Sequence, residues 1–151
     1  MLVSKTNLDG VLIFTPQLFH DDRGYLFESY REDFFNKHLP NIKFVQENQS
    51  FSKYGVLRGM HYQNEPYSQS KLIRVLDGKI QDVIVDLRKQ SKTYKQYISI
   101  ILSSENQKQI FIPKGFAHGF LTLSKSAIVN YKVNNYYSPE HDSGVHPLDS
   151  D

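Results

Sequence analysis

The sequence contains no cysteine and no tryptophan. Without cysteine, disulfides and thiolate chemistry are excluded. A dominant charge is also missing: 18 basic and 16 acidic residues leave a net charge of +2 over 151 residues. That balance gives no electrostatic footprint for nucleic acid, and no nucleic-acid partner is expected. No apolar run approaches the length of a membrane span. The N-terminal stretch MLVSKTNLDGVLIF lacks the layout of a signal peptide. The expectation is therefore a cytoplasmic protein with no membrane partner. Asn48-Gln49-Ser50 matches a glycosylation sequon, which carries no weight without a secretion signal. There is no glycine-rich phosphate loop, no Ser/His/Asp signature, no internal repeat and no linker. Histidines stand at 20, 38, 61, 118, 141 and 146, and none form a His-x-His pair. No metal site is expected, since such sites in β-barrels draw on clustered histidines with a nearby carboxylate.

What the chain does have is aromatic residues, at 13 %, with 10 Tyr and 10 Phe. It also has many short apolar or alternating runs separated by Gly, Pro and Asp. Its length fits a single domain spanning residues 1–151, large enough for a real core. Val11 to Phe14 reads as a strand, and His20 to Gly24 as a polar turn. Tyr25 to Tyr30 alternates as a strand, and Arg31 to His38 is the best helix, stopped before Pro40. Phe44 to Ser52 alternates again, with Phe44, Gln46, Asn48 and Ser50 on one face. Lys71 to Leu76 and Lys79 to Leu87 are strands flanking Asp77-Gly78, a strong tight-hairpin signal. In the second of these, Ile80, Asp82, Ile84 and Asp86 share a face, which makes Asp82 a candidate buried carboxylate. Lys95 to Leu102, Gln109 to Ile112, Ala117 to Leu123 and Ala127 to Val133 follow as strands. Tyr131 points where Val129 and Val133 point. The polar and aromatic stretch after Val133 reads as loop or turn. One short helix among many short strands implies an all-β sandwich or barrel.

The most informative stretch is Gly55 to Gln63, GVLRGMHYQ. It places a fixed cation, Arg58, near a titratable base, His61. Gly59 lies between them, where a ligand or another strand could approach closely. Lys71 heads the next apolar strand. Arginine, histidine and lysine in one short region suit an anionic substrate and proton chemistry. Each also has a plainer reading. His61 could fill a hydrogen-bonding slot, Arg58 could pair with a surface carboxylate, and Tyr131 could be a core tyrosine. Asp82 could bind a neighbouring backbone or arginine, and His118 could brace a turn.

Taken singly, Asp82 and His118 keep the plainer reading; for His61, Lys71 and Tyr131 a resemblance carried by the order and spacing of several motifs reverses it. Asp22-Arg23-Gly24, Gln46-x-Asn48-x-Ser50, Val56 to Gln63 and Lys71 to Val75 together resemble the dTDP-4-dehydrorhamnose 3,5-epimerase family. The likeness continues through Asp82 to Arg88, Ile112 to Phe120, Tyr131-Lys132 and Tyr136-Tyr137-Ser138-Pro139, and so covers nearly the whole chain. It implies a cupin-type double-stranded β-helix, or jelly roll, with a short peripheral helix, usually as a homodimer. It further implies a metal-free, cofactor-free enzyme of deoxysugar synthesis, such as that of rhamnose for cell-surface polysaccharide, acting on a nucleotide-linked 4-keto-6-deoxy sugar. By the same resemblance His61 is the base, Tyr131 the acid and Lys71 the cation at the enolate oxygen. Arg58 and Arg23 would hold the diphosphate, with Arg23 supplied by the neighbouring subunit. Phe27, Glu28, His118, Gln46, Asn48 and Tyr137 would contact substrate, the last three at the nucleotide end, and Asp82 would stand behind them. The family's C-terminal region carries an aspartate that hydrogen-bonds the catalytic histidine. This sequence has no stretch matching it, so the family's C-terminal segment is expected to be missing.

The chemistry suits the residue types independently. Epimerisation beside a ketone removes a weakly acidic proton and returns one to the opposite face. That needs a base, an acid on the other side and a cation at the developing enolate. The expected activity is inversion at carbon 3 and, in some members, carbon 5. Two alternatives remain open on sequence alone. One is a sugar-nucleotide-binding cupin without epimerase turnover. The other is a metal-dependent cupin oxygenase using His61, Glu65 and His118.

Overall fold

The computed structural model describes residues 1–146; residues 147–151, which include the Pro147-Leu148-Asp149 end of the chain, lie outside the described residues. Among the described residues, thirteen strands and one α-helix follow in chain order. They are β1 (Leu2–Lys5), β2 (Leu12–Thr15), β3 (Phe19–Asp21), β4 (Gly24–Leu26), α1 (Glu32–His38), β5 (Gln46–Lys53) and β6 (Leu57–Gln63). Then come β7 (Lys71–Asp77), β8 (Lys79–Asp86), β9 (Tyr97–Ser103), β10 (Gln109–Ile112), β11 (Phe116–Thr122), β12 (Ser126–Val133) and β13 (Asp142–Gly144). Two antiparallel sheets face one another, in the orders β1-β2-β10-β7-β12-β5 and β13-β6-β11-β8-β9. β3 and β4 form a separate two-stranded hairpin. The architecture is the expected all-β jelly roll.

Alternation explains how the sheets close on one another. On β8, Ile80, Asp82, Ile84 and Asp86 are all fully buried, while the residues between them are partly exposed. Their face meets Ile73 and Val75 of β7, Val129 of β12, Leu102 of β9 and Phe116 and Phe120 of β11 in one shared core. β5 turns its polar set Gln46, Asn48 and Ser50 inward and leaves Glu47, Gln49 and Phe51 exposed. An inward polar face at the end of a sheet has no apolar partner to bury, so the two sheets part there and a pocket opens.

The helix covers the outside of the first sheet. Phe35 is buried and packs against Phe14 at a tilt of 35°, with ring centroids 4.8 Å apart, in a second cluster with Leu39, Leu72 and Phe111. Glu32 and Asp33 occupy its first turn and Lys37 and His38 its last, the arrangement its dipole favours.

The structure corrects four sequence expectations. The strand expected from Tyr25 to Tyr30 ends at Leu26, opposite Phe19, where its partner β3 begins and the ladder has no further residues to pair. His20 and Asp21, expected in a turn, belong to β3. Asp77-Gly78 does not close a hairpin: β7 pairs with β10 and β12, whereas β8 pairs with β11 and β9 in the other sheet. Gly78, at φ +80°, turns the chain from one sheet to the other, and a Cβ there would collide with the carbonyl of Ser126. Finally, the stretch after Val133 is not all loop. A 3₁₀ turn at Pro139–His141 leads into β13, which pairs with β6 and sets Gly144 opposite His61.

Candidate active site

β6 and β11 are out of step by one residue. His61 pairs with His118 and Arg58 with Phe120, so three steps along β6 match two along β11. This bulge lets Arg58 and His61, which would face opposite ways in a regular strand, line the same pocket. Its cause is local. Gly59 has φ +118°, and a Cβ there would lie 2.5 Å from the Cα of Gly119. Only glycine fits, so the Arg-Gly-x-His spacing is a bulge device.

The pocket has a volume of about 490 Å³. One wall comes from the second sheet: Arg58 and His61 of β6, with His118 and Phe120 of β11. The opposite wall comes from the first sheet: Gln46, Asn48 and Ser50 of β5, Lys71 of β7, and Tyr131 of β12. Tyr137 and Asp142 close one end.

Arg58 is held by its neighbours rather than by an acid. Its Nε donates to Ser52 Oγ at 2.8 Å and its Nη2 to the carbonyl of Phe51 at 3.2 Å. Its remaining donors are left for a ligand. His118 Nε2 lies 2.7 Å from Oδ2 of Asp82, which is fully buried. The Lys71 backbone belongs to the β7 ladder, while its ammonium makes no hydrogen bond or ion pair with another described residue. Gln46 Oε1 accepts from the amide of Tyr137 at 3.2 Å, and its Nε2 donates to Asn48 Oδ1 at 3.0 Å.

Within one chain, three of the sequence-predicted contacts do not reach this pocket. Arg23 sits on the β3–β4 hairpin with its side chain 90 % exposed, bound to Asp21 at 2.6 Å. Phe27 lies in the same segment, and Glu28 pairs with Arg31 at 3.2 Å. Glu65, weighed as a metal ligand, lies in the exposed turn before Pro66 and not on the pocket wall. Among the described residues, no group of three or more His, Asp or Glu side chains comes together to hold a metal.

The sequence and the fold both match a known family. The model of the dTDP-4-dehydrorhamnose 3,5-epimerases matches residues 5–151. The chain belongs to this family. It is 51 % identical over 141 residues to the dTDP-4-dehydrorhamnose 3,5-epimerase of Methanothermobacter thermautotrophicus, which covers 93 % of this chain and 76 % of that relative. The crystal structure of the Bacillus anthracis enzyme of the same name, with TDP and PPi bound, is similar at TM-score 0.95 and 49 % identity over 99 % of this chain and 86 % of that one. A Legionella pneumophila dTDP-6-deoxy-D-glucose-3,5-epimerase in complex with dTDP-4-keto-L-rhamnose is similar at TM-score 0.94 and 44 % identity, over 98 % of this chain and 79 % of that one.

Electrostatics separate the two chemical groups of the first-sheet wall of this epimerase-family pocket. Burial raises the Tyr131 phenol above its ordinary value, with Arg58 and Asn48 opposing. Burial lowers the Lys71 ammonium below its ordinary value, with the carboxylates of Asp142 and Asp82 opposing. Asp142 was missed by the sequence reading, because a three-residue strand without apolar alternation gives no periodic signal. Ser52 was legible as the next inward residue of β5. Gln63 was part of the key stretch but was assigned no task.

Proposed function

We propose that the chain is an epimerase that inverts carbon 3, and then carbon 5, of a dTDP-linked 4-keto-6-deoxy sugar. The supporting observation is that His61 projects from one sheet while Lys71 and Tyr131 project from the other, across the pocket. Inversion requires proton removal and return on opposite faces of one carbon, and two opposed walls supply opposite faces.

In this reading neutral His61 takes the proton beside the ketone. The electron pair moves onto the carbonyl oxygen, where the Lys71 ammonium stabilises the enolate. Tyr131 donates its phenolic proton to the other face. Its raised pKa suits that task, since an acid must keep its proton until the enolate forms. Arg58 binds the diphosphate through its free guanidinium donors. Gln46, Asn48 and Tyr137 hold the nucleotide end. Asp82 fixes the ring of His118 beside the reacting ketone.

The proposal extends to a homodimer, with Arg23 carried into the pocket of a second copy. Its support is an exposed hairpin rich in apolar surface, with Leu26 at 74 % and Phe19 at 56 % exposure. Light scattering that showed only monomer at full activity would contradict this. The same reading places the enzyme in the cytoplasm, because a nucleotide-linked sugar is charged and does not cross a bilayer unaided. Among the described residues, no helix is long and apolar enough to cross a membrane.

The direct test is incubation with dTDP-4-keto-6-deoxyglucose in deuterated water, followed by proton NMR. Inverted product carrying deuterium at carbons 3 and 5 is expected. Unchanged substrate over many enzyme equivalents would overturn the reading.

A further inference from the structure

Gln63 ends the strand that carries Arg58 and His61, and its side chain is 7 % exposed. Both of its N–H donors and one acceptor site are spent on the neighbouring 64–70 turn and the distant 135–138 segment. Nε2 donates to the carbonyl of Tyr67 at 2.6 Å and to the carbonyl of Tyr136 at 3.2 Å. Oε1 accepts from the amide of Ser138 at 2.7 Å. The orientation of this amide follows from the network. Flipped, it would set oxygen against two carbonyls and NH₂ against an N–H.

The bonds to Tyr136 and Ser138 bracket Tyr137 on both sides. Tyr137 itself donates its amide to Gln46 Oε1 at 3.2 Å, and its hydroxyl to Asp142 Oδ2 at 3.4 Å. The wider segment is laced to the 64–70 turn as well: Gln69 Nε2 donates to the carbonyl of Asn135 at 2.9 Å, and Asn135 Nδ2 to the carbonyl of Pro66 at 3.0 Å. Those bonds fix the approach to Tyr137. Gln63 and Gln46 grip the backbone at Tyr137 and on either side of it, and Ser138 Oγ also meets His141 Nδ1 at 2.8 Å. Among the described residues, the long hydroxyl contact with Asp142 is the one side-chain bond of Tyr137; the residue lies outside both sheets, is 55 % exposed and reaches the pocket from an irregular segment. Without an external brace, such a segment would have to be ordered by the ligand, at a cost in affinity.

We infer that Gln63 is a positioning residue that presets Tyr137 for the nucleotide end of the substrate, tying the strand of the proposed base to the nucleotide-binding segment. This rests on the assignment of Tyr137 to the nucleotide end. The hydrogen-bond pattern implies a definite energetic signature. Gln63 lines the pocket, but both of its N–H donors and one acceptor site are turned to protein; acting on the nucleotide through Tyr137, it should contribute nothing once the ring is gone.

The test is calorimetry of TDP and of pyrophosphate against wild type, Gln63→Met, Tyr137→Ala and the double variant. Gln63→Met keeps side-chain length and removes all three bonds. It should weaken TDP about five- to tenfold, the order expected for losing net hydrogen bonds of this kind, and leave pyrophosphate affinity unchanged. In the Tyr137→Ala background the same change should add no further loss. The Michaelis constant for the sugar nucleotide should rise more than kcat falls. Gln63→Asn, which keeps a neutral amide but is one methylene too short to reach all three partners, should show the same coupling at smaller size and serves if the methionine variant fails to fold. Additive losses in the double variant, parallel loss of pyrophosphate affinity, or wild-type TDP affinity in both Gln63 variants would overturn the inference. Wild type that bound pyrophosphate but not TDP would instead overturn the nucleotide-end assignment, and the inference with it.

Discussion

Asp82 and Asp86 lie on the same strand and the same face, four residues apart, and both are fully buried. Their surroundings differ sharply. Asp86 Oδ1 accepts from the backbone and Nε of Arg88, each at 2.9 Å. Its Oδ2 accepts from Arg88 Nη2 at 2.7 Å and from the hydroxyls of Ser91 and Thr93 at 2.6 Å each. The guanidinium of Arg88 also lies 4.3 Å from the ring centre of Phe116. Asp82 has one bond, from Oδ2 to His118, and its Oδ1 has no hydrogen-bond partner among the described residues. A fully satisfied buried carboxylate ties a loop to the sheet. A sparsely satisfied one beside a pocket leaves its histidine as the place where its charge is felt. Identical patterning in the sequence thus yields one carboxylate that ties a loop to the sheet and one bonded to a histidine of the pocket wall.

Removing each carboxylate should therefore break different things. The largest effect is expected for Asp86→Ala, which strands the Arg88 guanidinium and two hydroxyls. Losing one partner of such a pair costs about 3–5 kcal/mol, and the melting temperature should fall by on the order of 10 °C. Burial alone would raise the Asp86 carboxyl, but the bonds from Arg88, Ser91 and Thr93 outweigh it and hold the group below the ordinary carboxylate range. Its stabilising contribution is then complete above the ordinary value of about 4. It is lost as pH falls through the lower value of the folded state, and in Asp86→Ala that acid-side component should disappear from the stability curve.

Asp82→Asn should do the reverse. The fold should melt within a few degrees of wild type, while kcat falls about 30-fold, or ~2 kcal/mol, for one charge-assisted hydrogen bond. If Asp82→Asn instead unfolded the protein and left the turnover of the folded fraction intact, the contrast between the two carboxylates would collapse.

A smaller effect sharpens the same contrast from the opposite wall. Lys71 must be protonated to stabilise an enolate, and its pKa is lowered by burial. The alkaline limb of the kcat profile should lie below the ordinary lysine value of about 10.4. The acidic neighbours that oppose this shift are Asp142 and Asp82. Asp142→Asn removes one of them, disfavours the ammonium and should move the limb to lower pH. A shift to higher pH, or none, would show that Asp142 does not act on Lys71.

Much of this was legible in the sequence because alternation leaves a mark wherever a sheet is half buried. The inward face of β8 and the inward polar set of β5 were both readable, and so was the alignment of Tyr131 with Val129 and Val133. What was not legible depended on pairing. Asp77-Gly78 reads as a hairpin until β10, β12, β9 and β11 are seen to occupy the places beside β7 and β8. The Arg58–His61 spacing looks wrong for one face of a strand until the bulge against Gly119 is known. Asp142 and the task of Gln63 depend on contacts across some 70 or more residues of chain, which no local pattern records.

The central claim is that proton removal and proton return are divided between the two sheets. NMR of substrate and product in deuterated water, comparing His61→Ala with Tyr131→Phe, tests it most directly. His61→Ala should abolish both deuterium exchange and inversion. Tyr131→Phe should retain exchange, because His61 still forms the enolate and returns a solvent deuteron to the face it left, while inversion falls steeply. Equal loss of exchange in the two variants would show that Tyr131 takes part in proton removal, and the division between the sheets would be contradicted.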